Sequence, residues 1–155
     1  MSPQQVSLAR KAASLCCAAS LGALLFSVRV ALTIFQELPN DRLLAGRIAG
    51  RSFTGAYAIA TAAAVIAVVV VVTTRSRHRL IDVWCAWSLL VTSLLQLFWI
   101  APAIARHGSG WPGSFASLHA AGGIFHVFMA VLALVLAWRL LEPVDDGVAA
   151  SDQRF

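Results

Sequence analysis

Four long apolar stretches, at about 12–35, 48–72, 80–104 and 115–140, fill most of this chain, and only short polar or basic segments separate them. Each reaches the roughly 20 residues that a helix needs to cross about 30 Å of hydrocarbon. Buried helices of a soluble globule would carry a polar face, yet the segment 62–72 is apolar all round. The fold class that follows is all-α: an integral membrane four-helix antiparallel bundle, with spans at about 12–36, 48–73, 80–104 and 115–140. With 155 residues, 59% of them hydrophobic and 12% charged, little is left for a soluble domain. Residues 1–142 read as one transmembrane domain. The acidic tail 143–155, beginning at Pro143, has too few apolar residues to fold and is expected to be disordered.

The net charge of +5 sits at the span ends, where it sets topology and calls for no nucleic acid. Arg10, Lys11, Arg75, Arg77, Arg79 and Arg139 fall on one side, against Arg42, Arg47, Arg51 and Arg106 on the other. That bias places both termini in the cytoplasm. A cleaved signal peptide is the rival reading of the first span, but the run is too long and ends without a small-x-small cleavage site. Trp84, Trp87 and Trp138 on the inner side, with Trp99 and Trp111 on the outer, form the two aromatic belts expected at the membrane interfaces. Cys16, Cys17 and Cys85 lack CxxC spacing and read as small packing residues.

The first connection carries the turn signal Pro39-Asn40, the second (73–79) is short and basic, and the third (106–114) is rich in glycine around Trp111. Gly46 and Gly50, in the segment GRIAG, open a small-residue stripe that continues through Ala56, Ala60, Ala63 and Ala67. Such a stripe lets helix backbones approach where lipid supplies no hydrophobic drive. It serves packing within one chain or a homo-oligomer through Gly46 and Gly50.

Polar side chains within a bilayer are costly, so their convergence is informative. Arg29, Thr33, Gln36, Tyr57, Gln96 and His119 all fall in the outer half. Arg29, Thr33 and Gln36 share a helix face, as do Cys85, Ser88, Thr92, Gln96 and Trp99. His119 and His126 are seven apart, with Gly122 and Gly123 leaving room between them. The candidate cofactor-binding residues are therefore Arg29, Thr33, Tyr57, Gln96, His119 and His126. Each also has a structural explanation: arginine snorkels toward headgroups and could meet Glu37 or Asp41, and hydroxyls bond back to their own helix. A cation beside amide, phenol and imidazole suits a haem, a quinone or a lipid, and the sequence does not name the cofactor. Two histidines on one helix cannot clasp a haem from both faces, and His126 with Met129 and a cysteine is too small a set to specify a metal. No nucleophile stands beside a base and no glycine loop precedes a phosphate-binding helix, so no catalytic residue is assigned and the balance is against an enzyme. The spans read as free of carboxylates, and no pair of interrupted helices suggests a transporter built from inverted repeats.

Phe35, Leu38, the Ala45-Gly46 step and Phe53 around the first turn, Trp99 with Pro102, and Phe115, Leu118 and His119 resemble the bacterial domain-of-unknown-function 4149 family. That family is related to animal transmembrane protein 205. The likeness covers about 21–140 and implies a four-span bundle in the bacterial inner membrane, with no particular reaction. The animal relatives are linked loosely to metal-drug tolerance, and a more distant likeness runs to membrane copper-resistance and haem-pathway proteins. This chain departs from those in having no histidine in span one. Leu32 also stands where many relatives place a proline, which implies a straighter first helix.

Two functions are consistent with these observations. One is a non-catalytic accessory or assembly component, alone or within a larger membrane complex. The other is a haem or quinone binder in redox or metal handling, which requires Arg29, Gln96 and His119 to face one interior cavity.

Overall fold

The computed structural model describes residues 2–74, 79–106 and 115–142. The glycine-rich third connection, most of the basic second one and the acidic tail lie outside those residues. Among the described residues every regular element is a helix: α1 (Pro3–Glu37), α2 (Arg42–Thr73), α3 (Arg79–Leu95), a π-helical turn (Gln96–Ile100), α4 (Ala101–Ala105) and α5 (Phe115–Arg139). The four segments long and apolar enough to cross a membrane are Gln4–Glu37, Leu43–Thr73, Arg79–Ala105 and Ser117–Arg139.

Helix boundaries follow local chemistry more than hydropathy. α1 starts at Pro3, well before the apolar run, because Ser2 and Gln5 form a reciprocal capping box and proline fits the first turn. It ends at Glu37, with Leu38 as its cap just before Pro39. Asp41 then caps α2, its carboxylate accepting from the Leu44 amide at 2.9 Å. In the third span Pro102 has no N–H to offer the carbonyl one turn earlier. The ladder widens instead, and the Ala101 amide reaches back to the Gln96 carbonyl.

Pairings between helices fix the topology. As α1 runs from Arg10 through Ser14 to Leu24, its hydrogen-bonded partners on α5 run back from Arg139 through Ala137 to His126. On the facing side, Asp82 and Gln96 meet Arg139 and Gly122 in the same reversed order. α1 and α3 therefore run parallel on one diagonal without touching, and α2 and α5 pack between them. The expected antiparallel four-helix bundle is what forms.

Its interior is small and its perimeter large. Ala13, Cys17, Ala56, Ala60, Ala64, Ala67, Ala86 and Ala133 are buried, whereas Leu25, Phe26, Val69, Trp84, Phe98, Ile124 and Trp138 point outward. Soluble monomers rarely expose large continuous apolar surfaces. In lipid the exterior meets hydrocarbon, and small residues let the backbones close together. Ser20, Ser27 and Ser93 join this interior at little cost because each hydroxyl donates to the carbonyl three residues earlier in its own helix.

The small-residue stripe on α2 divides in two. Ala56, Ala60, Ala63 and Ala67 are buried, as expected of packing residues. Gly46 and Gly50 are exposed instead, and a β-carbon built on either meets nothing within 4 Å.

Candidate functional site

The polar residues of the outer half do not meet in one cavity. Arg29 is exposed, and its carbonyl accepts from the hydroxyl of Thr33, also exposed, at 3.0 Å. The anticipated pairing of Arg29 with Glu37 or Asp41 is not formed among the described residues. His119 lies exposed near the start of α5, one full face-repeat from the buried His126. Gln96 is 1% exposed and turns inward, where its Nε2 donates to the Gly122 carbonyl at 2.7 Å. An open apolar hollow lined by Val91, Leu94, Leu95, Phe98 and Trp99 lies on the flank of the third span, and none of the candidate residues lines it.

Tyr57 and His126 do come together. The imidazole stands edge-on to Phe53, with ring centroids 5.4 Å apart, and edge-on to Tyr57 at 5.8 Å. Its Nε2 donates to the Leu24 carbonyl at 3.2 Å, the same carbonyl that Ser27 Oγ reaches at 2.7 Å. Nδ1 is buried without a partner. Since Nε2 carries the donor hydrogen, the neutral ring leaves a lone pair on Nδ1. That atom could accept a hydrogen bond or ligate a metal. No group of three or more His, Cys, Asp or Glu side chains is placed to hold a metal among the described residues.

A second polar cluster occupies the opposite end of the bundle, and it corrects the expectation that the spans are free of carboxylates. Asp82 lies one turn inside the third span and is 1% exposed. Its Oδ1 accepts from Arg139 Nε at 2.5 Å. Arg10, expected as a topological charge at the headgroups, is buried, and its Nη2 donates to the Arg139 carbonyl at 3.0 Å. One turn deeper, Ser14 Oγ donates to the Ala137 carbonyl at 2.6 Å. The Ser14 bond gives the Ala137 carbonyl a partner in the last turn of α5, and the Arg139 carbonyl accepts from the Glu142 amide at 3.3 Å as well as from Arg10. The signal was present in the sequence: antiparallel spans bring the start of the first, the start of the third and the end of the last to one level, and each carries a charge there.

The family model for a domain of unknown function, DUF4149, matches residues 15–107, more than half of the chain. The chain belongs to the DUF4149 family. In this DUF4149 protein the match takes in Gln96, Asp82 and His126's neighbours Phe53 and Tyr57, and it ends before α5. No curated protein and no solved structure matches the chain. The shared description supplies no reaction, so the functional reading rests on the geometry.

Proposed function

We propose that this multi-pass membrane protein is a non-catalytic accessory or assembly component of a membrane system, acting through helix-to-helix contact in the bilayer. One observation carries the reading. Gly46, Gly50, Thr54, Ala58 and Ala62 follow one another at intervals of four along α2, and all are exposed. The glycines take no part in packing within the chain. Thr54 gives its hydroxyl to the Gly50 carbonyl at 2.9 Å, so the stripe offers no free polar group to lipid. A ridge of this spacing suits the close right-handed crossing of a second helix.

The interior polar groups support the same reading. Gln96, Ser14, Arg10 and His126 each engage a backbone carbonyl of another helix, which locks the bundle. The partner tested first is a second copy, and a subunit of a larger complex presents the same problem of close approach. The charge bias supports cytoplasmic termini, and the four apolar helices fit the bacterial inner membrane that this reading takes as their location. Gly50→Leu should abolish self-association, read by energy transfer between labelled copies in liposomes, while the melting temperature stays that of the wild type. Undiminished energy transfer would remove self-association through this stripe.

A second reading, a haem or quinone site, is favoured by the unpartnered Nδ1 of His126 beside Tyr57. It would no longer draw on Arg29 or His119, whose side chains are exposed. The optical spectrum of the gently purified protein, oxidised and then reduced with dithionite, tests its haem form. A Soret band lost in His126→Leu establishes haem; a featureless spectrum removes it.

A further inference from the structure

Arg10 is 4% exposed, and only its Nη2 is engaged; the N–H groups on Nε and Nη1 are buried without an acceptor. The nearby carboxylate of Asp82 is committed to Arg139 Nε. A buried guanidinium with two N–H groups unmet and no carboxylate bonded to it among the described residues is strongly disfavoured. Among the described residues, nothing that accepts hydrogen bonds and carries negative charge meets Arg10 Nε and Nη1.

Depth suggests the group that would meet them. Trp84 and Trp138, each 71% exposed, flank the cluster on α3 and α5 and mark the interfacial belt. Lys11, adjacent to Arg10, is exposed at the same level. The anion abundant at that depth is the phosphodiester of a lipid headgroup, and a planar guanidinium fork matches its oxygens. Arg139 stands on the open side of the cluster: its side chain is 17% exposed while Asp82 holds its Nε. We propose that Arg10 Nε and Nη1 bind the phosphodiester of an anionic phospholipid, which enters past Arg139 between α1 and α5. The site lies away from the α2 stripe, and it stands or falls independently of the assembly role.

The test is lipid binding by native mass spectrometry, with the full-length protein in neutral detergent titrated with phosphatidylglycerol or phosphatidylcholine. The wild type should prefer phosphatidylglycerol, and Arg10→Met should weaken that binding on the order of tenfold, as expected for loss of charge-assisted hydrogen bonds. Lys11→Met should stay within about twofold of the wild type, because an exposed charge contributes little. Equal binding of the two lipids, an Arg10→Met variant that binds like the wild type, or a Lys11→Met loss as large as that of Arg10→Met would each overturn the proposal. Displacement of the lipid by an equal concentration of inorganic phosphate would assign the site to a free anion and overturn the lipid assignment. Should Arg10→Met not fold, Arg10→Lys keeps the charge and removes the fork; wild-type binding by that variant overturns the proposal too.

Discussion

Gln96 on the third span holds the backbone of Gly122 on the last, Nε2 to carbonyl oxygen at 2.7 Å, at the first residue of the π-helical turn. The bond and the turn are linked through Pro102, whose missing N–H widens the ladder at this point. Gly122 packs closely there: a β-carbon at this position would lie 3.4 Å from Ile100 Cγ2 and from Ile104 Cδ1, which leaves no room for a larger side chain.

Replacing the amide by a hydrocarbon of similar size, Gln96→Leu, should destabilise the bundle by about 0.5–1.5 kcal/mol. Hydrogen bonds between membrane helices contribute this much, and the Gly122 carbonyl keeps its own helical acceptor role. Reversible unfolding in mixed bicelles with increasing dodecyl sulfate measures it. A loss beyond about 3 kcal/mol would mean that Gln96 does more than join two helices.

Gly122→Ala should be nearly neutral, because an added β-carbon would stand 3.4 Å from each isoleucine methyl, close to ordinary van der Waals contact. Gly122→Leu should force α5 away from α4 and cost about 1–3 kcal/mol, the usual scale of overpacking. The melting temperatures of the two variants in one detergent make the comparison.

Asp82→Asn should be among the most damaging single changes, costing about 2–4 kcal/mol, since it leaves Arg139 without its charge partner in a mostly buried site. The double variant Asp82→Leu with Arg139→Leu should recover part of that loss, because two apolar groups replace the pair. A double-variant cycle read by thermal unfolding checks the sign, which matters more here than the magnitude.

The spans and their order are legible in the residues because hydropathy over 20 positions is a strong, additive signal. The alanines at 56, 60, 63 and 67 are equally legible as packing residues, since periodicity alone assigns them a face. The convergence of Arg29, Gln96 and His119 is not, because spacing along one helix says nothing about its rotation against the next. Gln96 turns inward toward Gly122, while Arg29 and His119 turn outward. Asp82 shows a different limit: one carboxylate barely lowers the mean hydropathy of its run, so the average conceals the charge most firmly fixed within the bundle. Arg10 reads as an interfacial charge for a related reason, because its apolar run begins only after it, whereas the helix begins at Pro3.

Arg10, Ser14 and the Leu24 carbonyl on α1 all find partners on α5, across separations of 129, 123 and 102 positions. α1, synthesised before α5, thus carries an arginine and a serine whose partners in the bundle α5 supplies. Until α5 is inserted, a nascent chain lacks the α5 carbonyls that Arg10 and Ser14 engage. A product terminated after α4 would differ from the mature protein in more than size: it would expose those groups to lipid, a signature by which membrane quality control can tell an unfinished chain from a finished one.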